Sequence, residues 1–98
     1  MLKKNYSKTG SSCRVTFRLS ADVGAEKVFL VGDFNNWDKE STPMKKLKSG
    51  DFSVTISLKP GEKYRFRYWL DDTKWENDWE ADAYVPNEFG SEDSVVTV

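Results

Sequence analysis

The sequence predicts an all-β chain folded as an immunoglobulin-like sandwich of two antiparallel sheets. Apolar residues recur at every second position along most of the chain, and no segment sustains a helical period. Gly or Pro turn signals return at the short spacing of small sandwiches and barrels. At 98 residues there is room for one domain.

The elements follow in order. Residues 1–12 are expected to be a polar N-terminal arm, since Asn5 to Ser12 is polar and contains Gly and Ser, and residues 13–98 to be the sandwich. Cys13 to Leu19 alternates, with Cys13, Val15, Phe17 and Leu19 on one face and Arg14, Thr16 and Arg18 on the other. Lys27 to Gly32 carries the continuous run Val28-Phe29-Leu30-Val31 of a central strand. After the Ser49-Gly50 turn, Asp51 to Lys59 turns Phe52, Val54, Ile56 and Leu58 inward, and Pro60-Gly61 closes it. Lys63 to Leu70 places Tyr64, Phe66, Tyr68 and Leu70 inside and Arg65, Arg67 and Trp69 outside. Asp71-Asp72-Thr73 fits a hairpin turn into a short strand at Lys74 to Glu76, and Ser94 to Val98 ends the pattern.

Composition narrows the function. Fifteen Lys and Arg nearly balance 16 Asp and Glu, so the net charge of -1 offers no basic field, and neither nucleic acid nor a membrane surface is an expected partner. No apolar run approaches the roughly 20 residues of a membrane span, nothing resembles a signal peptide, and the expected compartment is the cytoplasm. Cys13 is the single cysteine and histidine is absent. An internal disulfide, a metal site built on imidazole or paired thiolates and a His base are excluded together, and Cys13 reads as a core residue. No cofactor is expected.

The chain is nevertheless rich in aromatic residues, with four Trp, four Tyr and six Phe against a mean hydropathy of -0.69. Alternation sends Phe17, Phe52, Tyr64, Phe66 and Tyr68 to the core but leaves the tryptophans over. Trp37 lies in the turn-like Gly32-Asp33-Phe34-Asn35-Asn36-Trp37-Asp38, Trp75 follows a turn, and Trp79 lies in the acidic stretch 76–80. Exposed indoles beside Asn, Asp, Arg and Lys suit a sugar, whose axial C–H faces are apolar and whose equatorial hydroxyls need donors and acceptors. Trp69 and Trp79 are expected instead to pack over an open end of the sandwich with their N–H groups capped locally, and Tyr84 is expected to be a packing residue.

The segment Val28 to Trp37 closely resembles the signature strand and loop of the family 48 carbohydrate-binding modules. These early-set domains precede the catalytic barrel in glycogen branching enzymes and isoamylases and form the glycogen-binding domain of the AMP-activated protein kinase β subunit. Phe66-Arg67-Tyr68, the Asp71 turn, Trp75 and the closing Phe89-Gly90-Ser91-Glu92-Asp93-Ser94-Val95-Val96 follow the family order. The resemblance implies an early-set sandwich that binds α-1,4-linked glucan (glycogen, starch or maltodextrin) without catalysis, the chemistry of the relatives residing in a separate barrel domain. It implies that Trp37 and Trp75 stack on glucose rings. Arg67 stands for a lysine that contacts hydroxyls, Phe89 for a leucine that reaches into the bound sugar, Ser91 for a threonine and Asp93 for an asparagine. Asp93 thereby gains a charge and loses an amide donor, and the turn from Asp71 to Trp75 is one residue longer than the kinase subunit's.

Other readings compete. Asp78, Glu80 and Asp82 would have to be the acid and base of a glycosidase, but they read as a solvated acidic loop. Asp71, Asp72, Asp78 and Asp82 match no calcium loop of known geometry. Lys45, Lys46 and Lys48 read as a solvated edge. The alternative function is a protein-interaction or dimerisation module that has lost sugar binding. Its outward Arg65, Arg67 and Trp69 row would then dock a glucan-metabolising enzyme or a second copy of the chain.

Overall fold

The period-two pattern builds nine strands in the computed structural model, which describes residues 2–98. They are β1 (Leu2–Tyr6), β2 (Cys13–Leu19), β3 (Val28–Gly32), β4 (Lys45–Lys46), β5 (Phe52–Leu58), β6 (Lys63–Leu70), β7 (Lys74–Glu76), β8 (Ala83–Pro86) and β9 (Glu92–Thr97). One antiparallel sheet has the order β1-β2-β5-β4; the other has β3-β6-β9-β8, with β7 also paired to β6. Short 3-10 turns at Ala21–Val23 and Asp33–Asn35 complete the elements. Two sheets with alternating inner faces must bury those faces against each other, so the product is a β-sandwich.

Burial follows the alternation where a strand has one wet face. Cys13, Val15, Phe17 and Leu19 are buried while Arg14 and Arg18 are exposed. The core between the sheets is aromatic: Phe17 meets Phe66 edge to face with ring centroids 5.0 Å apart, and Phe66 meets Tyr68 at 5.7 Å. Such pairs add about 1 kcal/mol each beyond their buried area. In β9 alternation gives way to four consecutive buried residues, from Asp93 to Val96, because both of its faces are covered.

The structure corrects three expectations. Residues 2–6 of the expected arm form β1, with Leu2 opposite Phe17 and Tyr6 opposite Cys13. The hairpin is closed by the Ser7 N–H donating to the Ser12 carbonyl at 2.9 Å, Leu2 packs on the core, and Lys4 pairs with Asp82 at 2.7 Å. Polar composition here marks an edge strand rather than a loose tail. Residues 83–86, outside the expected strands, form β8, and β9 begins at Glu92, earlier than Ser94.

The third correction concerns Asp78, which is 1% exposed instead of solvated. Its Oδ2 accepts from the Tyr68 phenol at 2.7 Å, its Oδ1 from the Glu80 N–H, and its own N–H donates to Ser94 Oγ. A buried carboxylate persists where donors surround it in this way. Burial of Tyr68, and next the charge of Asp78, push the phenol well above its ordinary value of 10.0. Asp71, Asp72 and Asp82 are also engaged. Asp71 Oδ1 accepts from the Glu26 and Lys27 N–H groups, Asp72 pairs with Lys27, and Asp82 Oδ2 accepts from Lys4 and the Thr97 N–H.

Candidate functional site

The segment after β3 is a chain of local constraints that ends in Trp37. At Gly32 an added Cβ would lie 2.5 Å from the Arg65 carbonyl oxygen and 2.8 Å from Phe66 Cβ, so glycine alone lets β3 approach β6 this closely. Asp33 uses both carboxylate oxygens: Oδ1 accepts from Trp37 Nε1 at 2.9 Å and Oδ2 from the Arg65 N–H at 2.8 Å. Phe34 turns into the core, 5.6 Å from Phe17 and 6.1 Å from Tyr64. Asn35 accepts from the Gly32 N–H and donates to the Leu30 carbonyl and Thr42 Oγ1. Asn36 and Trp37 both have φ 57, which reverses the chain and turns the indole back over the sheet.

Trp75 arrives from the opposite side. The β6–β7 hairpin turns through Asp71 and Asp72, at φ 50 and 58, and closes with the Thr73 N–H donating to the Leu70 carbonyl at 2.9 Å. Aspartate tolerates this left-handed region better than most side chains do. The register pairs Trp75 with Trp69, and Val31 with Arg67. As a result Trp37 and Trp75 meet edge to face with ring centroids 6.4 Å apart, and the Arg67 guanidinium lies 5.6 Å from the Trp75 ring. Among the described residues, Arg67 Nε is buried without a hydrogen-bond partner.

The loop between β8 and β9 supplies the far wall. Asn87 organises it: Oδ1 accepts from the Phe89 and Ser91 N–H groups, while Nδ2 donates to Ser91 Oγ at 3.0 Å and Asp93 Oδ1 at 3.1 Å. Phe89, 84% exposed, projects from the loop tip beside Gly90. The three segments enclose a cleft of about 460 Å³ lined by Asp33, Trp37, Arg65, Arg67, Trp75, Asn87, Glu88, Phe89 and Asp93.

Of the six residues singled out in the sequence, Trp37, Arg67, Trp75, Phe89 and Asp93 line this cleft, and Ser91 lies outside the lining, held by Asn87. Asp93 is only 6% exposed; its charge faces Arg65 at 3.9 Å, and the Asn87 amide supplies a donor beside it. Asp33, Asn87 and Glu88 were not expected there, and Arg65 was expected only in the outward interaction row. Arg65 shares the parity of Arg67, a usable signal, whereas Asn87 acts through a loop conformation that alternation cannot encode.

The other aromatic residues separate clearly. Trp69 does not cover an open end of the sandwich; it packs 4.6 Å from Trp75 on the outer face of β6. Trp79 is 54% exposed, with Nε1 donating to Glu76 Oε1 at 3.4 Å. Tyr84 donates its hydroxyl to the Asp78 carbonyl and accepts from the Ala81 N–H, which ties the acidic stretch down.

An antiparallel sandwich with a cleft of indole, guanidinium and amide on one face is the build of a binding domain. Comparison with known proteins gives its family. Residues 5–85 match the family model of Carbohydrate-binding module 48 (Isoamylase N-terminal domain), and the chain belongs to that family. It is 39% identical over 70 residues to a 1,4-alpha-glucan branching enzyme of Aquifex aeolicus, covering 62% of this chain and 11% of that protein. It is also 48% identical over 52 residues to a 1,4-alpha-glucan branching enzyme of Lactobacillus acidophilus, covering 52% and 8%. A horse 1,4-alpha-glucan-branching enzyme is 51% identical over 39 residues, covering 40% and 6%. The matched regions are thus a small part of each relative.

Proposed function

We propose that this domain binds α-1,4-linked glucan, as glycogen, starch or maltodextrin, and holds it without chemical conversion. The observation that carries the reading is the Trp37–Trp75 pair walling one cleft together with Arg67. Two indoles at an angle offer apolar faces to neighbouring glucose rings of a curved chain, and Arg67 and Arg65 offer donors to their hydroxyls. Phe89 packs from the loop side, Asp93 anchors the loop from below, and Ser91 contributes through Asn87. The related proteins carry 1,4-alpha-glucan in their names, which supports the choice of sugar. The setting proposed is the cytoplasm, in keeping with a buried free Cys13.

A noncatalytic role fits the carboxylates. Asp78 is engaged by Tyr68 and Asp82 by Lys4, while in the cleft Asp33 accepts from Trp37 and the Arg65 N–H. Asp78, Glu80 and Asp82, the residues a glycosidase would have to use, do not line the cleft. Affinity for a short oligosaccharide should be weak, because open stacking and hydroxyl contacts compete with water.

Affinity electrophoresis in gels containing glycogen or amylose, with pullulan and cellulose gels as controls, tests the reading. Wild type should be retarded by the first two, and Trp37→Ala and Trp75→Ala should each migrate freely at an unchanged thermal midpoint. Unretarded wild type that sediments as a dimer, broken by Trp69→Ala, would support the interaction module instead.

A further inference from the structure

Trp69 and Lys39 are left unused by the cleft, yet they adjoin it. Trp69 lies on the outer face of β6, directly across the ladder from Trp75, with ring centroids 4.6 Å apart and planes inclined at 51°. On the other side of Trp75 stands Trp37, at 6.4 Å. The three indoles therefore form one bent, unbroken run with Trp75 at its middle. Lys39, two residues beyond Trp37, extends its ammonium over this run, 4.1 Å from the Trp69 ring centre and 5.2 Å from that of Trp75. Neither Trp69 nor Lys39 lines the cleft.

We propose that Trp69 and Lys39 form a further glucose subsite, which continues the Trp37–Trp75 surface beyond the cleft and lets the domain hold a longer stretch of α-glucan. The inference rests on the glucan reading above. An exposed cation over an indole marks a ring surface where a weakly held group already sits, and a flexible lysine stem leaves it at little cost. Among the described residues no carboxylate pairs with Lys39, so its three N–H donors are available to sugar hydroxyls once the ammonium moves to the edge of the ring. An α-1,4 chain curves, and a bent series of aromatic faces suits it better than a flat one. The site is thereby selective for chain length: short sugars fill the cleft, and longer ones also reach Trp69.

Calorimetric titration of wild type, Trp69→Leu and Lys39→Gln with maltotriose and maltoheptaose tests this. Wild type should bind the longer sugar more tightly. Trp69→Leu should abolish most of that gain, about tenfold for one stacked ring, and leave maltotriose affinity unchanged. Lys39→Gln, exposed and outside the packed core, should reduce the gain severalfold with an unchanged thermal midpoint. Equal weakening of both sugars by Trp69→Leu would mean that Trp69 only buttresses Trp75, and the subsite is then refuted. It is refuted equally if both variants keep the full chain-length gain. If wild type binds neither sugar, the glucan reading itself fails and the subsite with it.

Discussion

Asp33 holds Trp37 by its edge: the indole Nε1 donates to Asp33 Oδ1 at 2.9 Å, and the other oxygen of the same carboxylate takes the Arg65 N–H of β6. One residue thus fixes the loop indole to the strand beneath it. Binding surfaces of this kind depend on rings that are already oriented before the ligand arrives.

Replacing Asp33 with Ala should therefore weaken glucan binding more than it weakens the fold. Loss of the indole hydrogen bond, worth about 1 kcal/mol, predicts roughly a fivefold fall in affinity. Titration with maltoheptaose checks this, and a shifted Trp37 fluorescence maximum should accompany it.

Gly32→Ala should do the reverse and damage the fold first. Its Cβ would meet the Arg65 carbonyl at 2.5 Å and the Phe34 ring at 2.9 Å, and backbone cannot move aside as a flexible side chain can. Overpacking of this kind costs about 2 kcal/mol. In a domain of this size that is a fall of roughly 10 °C in the thermal midpoint.

Asn87→Ala separates loop order from stability. Four hydrogen bonds in the loop between β8 and β9 pass through this one amide, and its removal frees Phe89 from the cleft wall. Retardation on glycogen gels should be largely lost, while chemical denaturation should detect no more than about 1.5 kcal/mol, since the loop is open to water. A large loss of stability with intact retardation would contradict this assignment.

The Tyr68–Asp78 pair predicts an alkaline limit. The phenol is raised above 10.0 in the folded chain by burial and then by the Asp78 charge, whereas in the unfolded chain it titrates near its ordinary value. The unfolded state therefore loses its proton first as pH rises. Stability from this group is complete below about pH 10 and declines above it toward the raised folded value. Tyr68→Phe should cost about 2 kcal/mol at neutral pH by depriving Asp78 of a donor. The gap between wild type and Tyr68→Phe, followed by urea denaturation, should narrow above pH 10.

The strands were legible wherever one face is wet and the other dry. β2, β5 and β6 could be read from alternation because water and core impose opposite demands on neighbouring residues. β1 and β8 could not: both are edge strands, held by a hairpin and a ladder, β1 carrying the polar run Lys3-Lys4-Asn5 and β8 being only four residues long and ending in Pro86. For the candidate site, outward parity found Arg67, and the turn context left Trp37 and Trp75 over, but their proximity came only from the family resemblance. Asp78 escaped because acidity in sequence looks the same whether a carboxylate faces water or a phenol. Trp69 escaped because parity names a face without naming the neighbour across the ladder.

Trp37 adopts φ 57, a backbone region that L side chains enter at a cost of about 1–2 kcal/mol. Glycine at that position would relieve the conformation and remove the ring in one step. Thermostability and ligand capture are therefore opposed at a single residue. A library ranked by melting temperature alone will drift toward robust sandwiches with a bare platform, and a selection that keeps this domain useful must score binding alongside survival on heating.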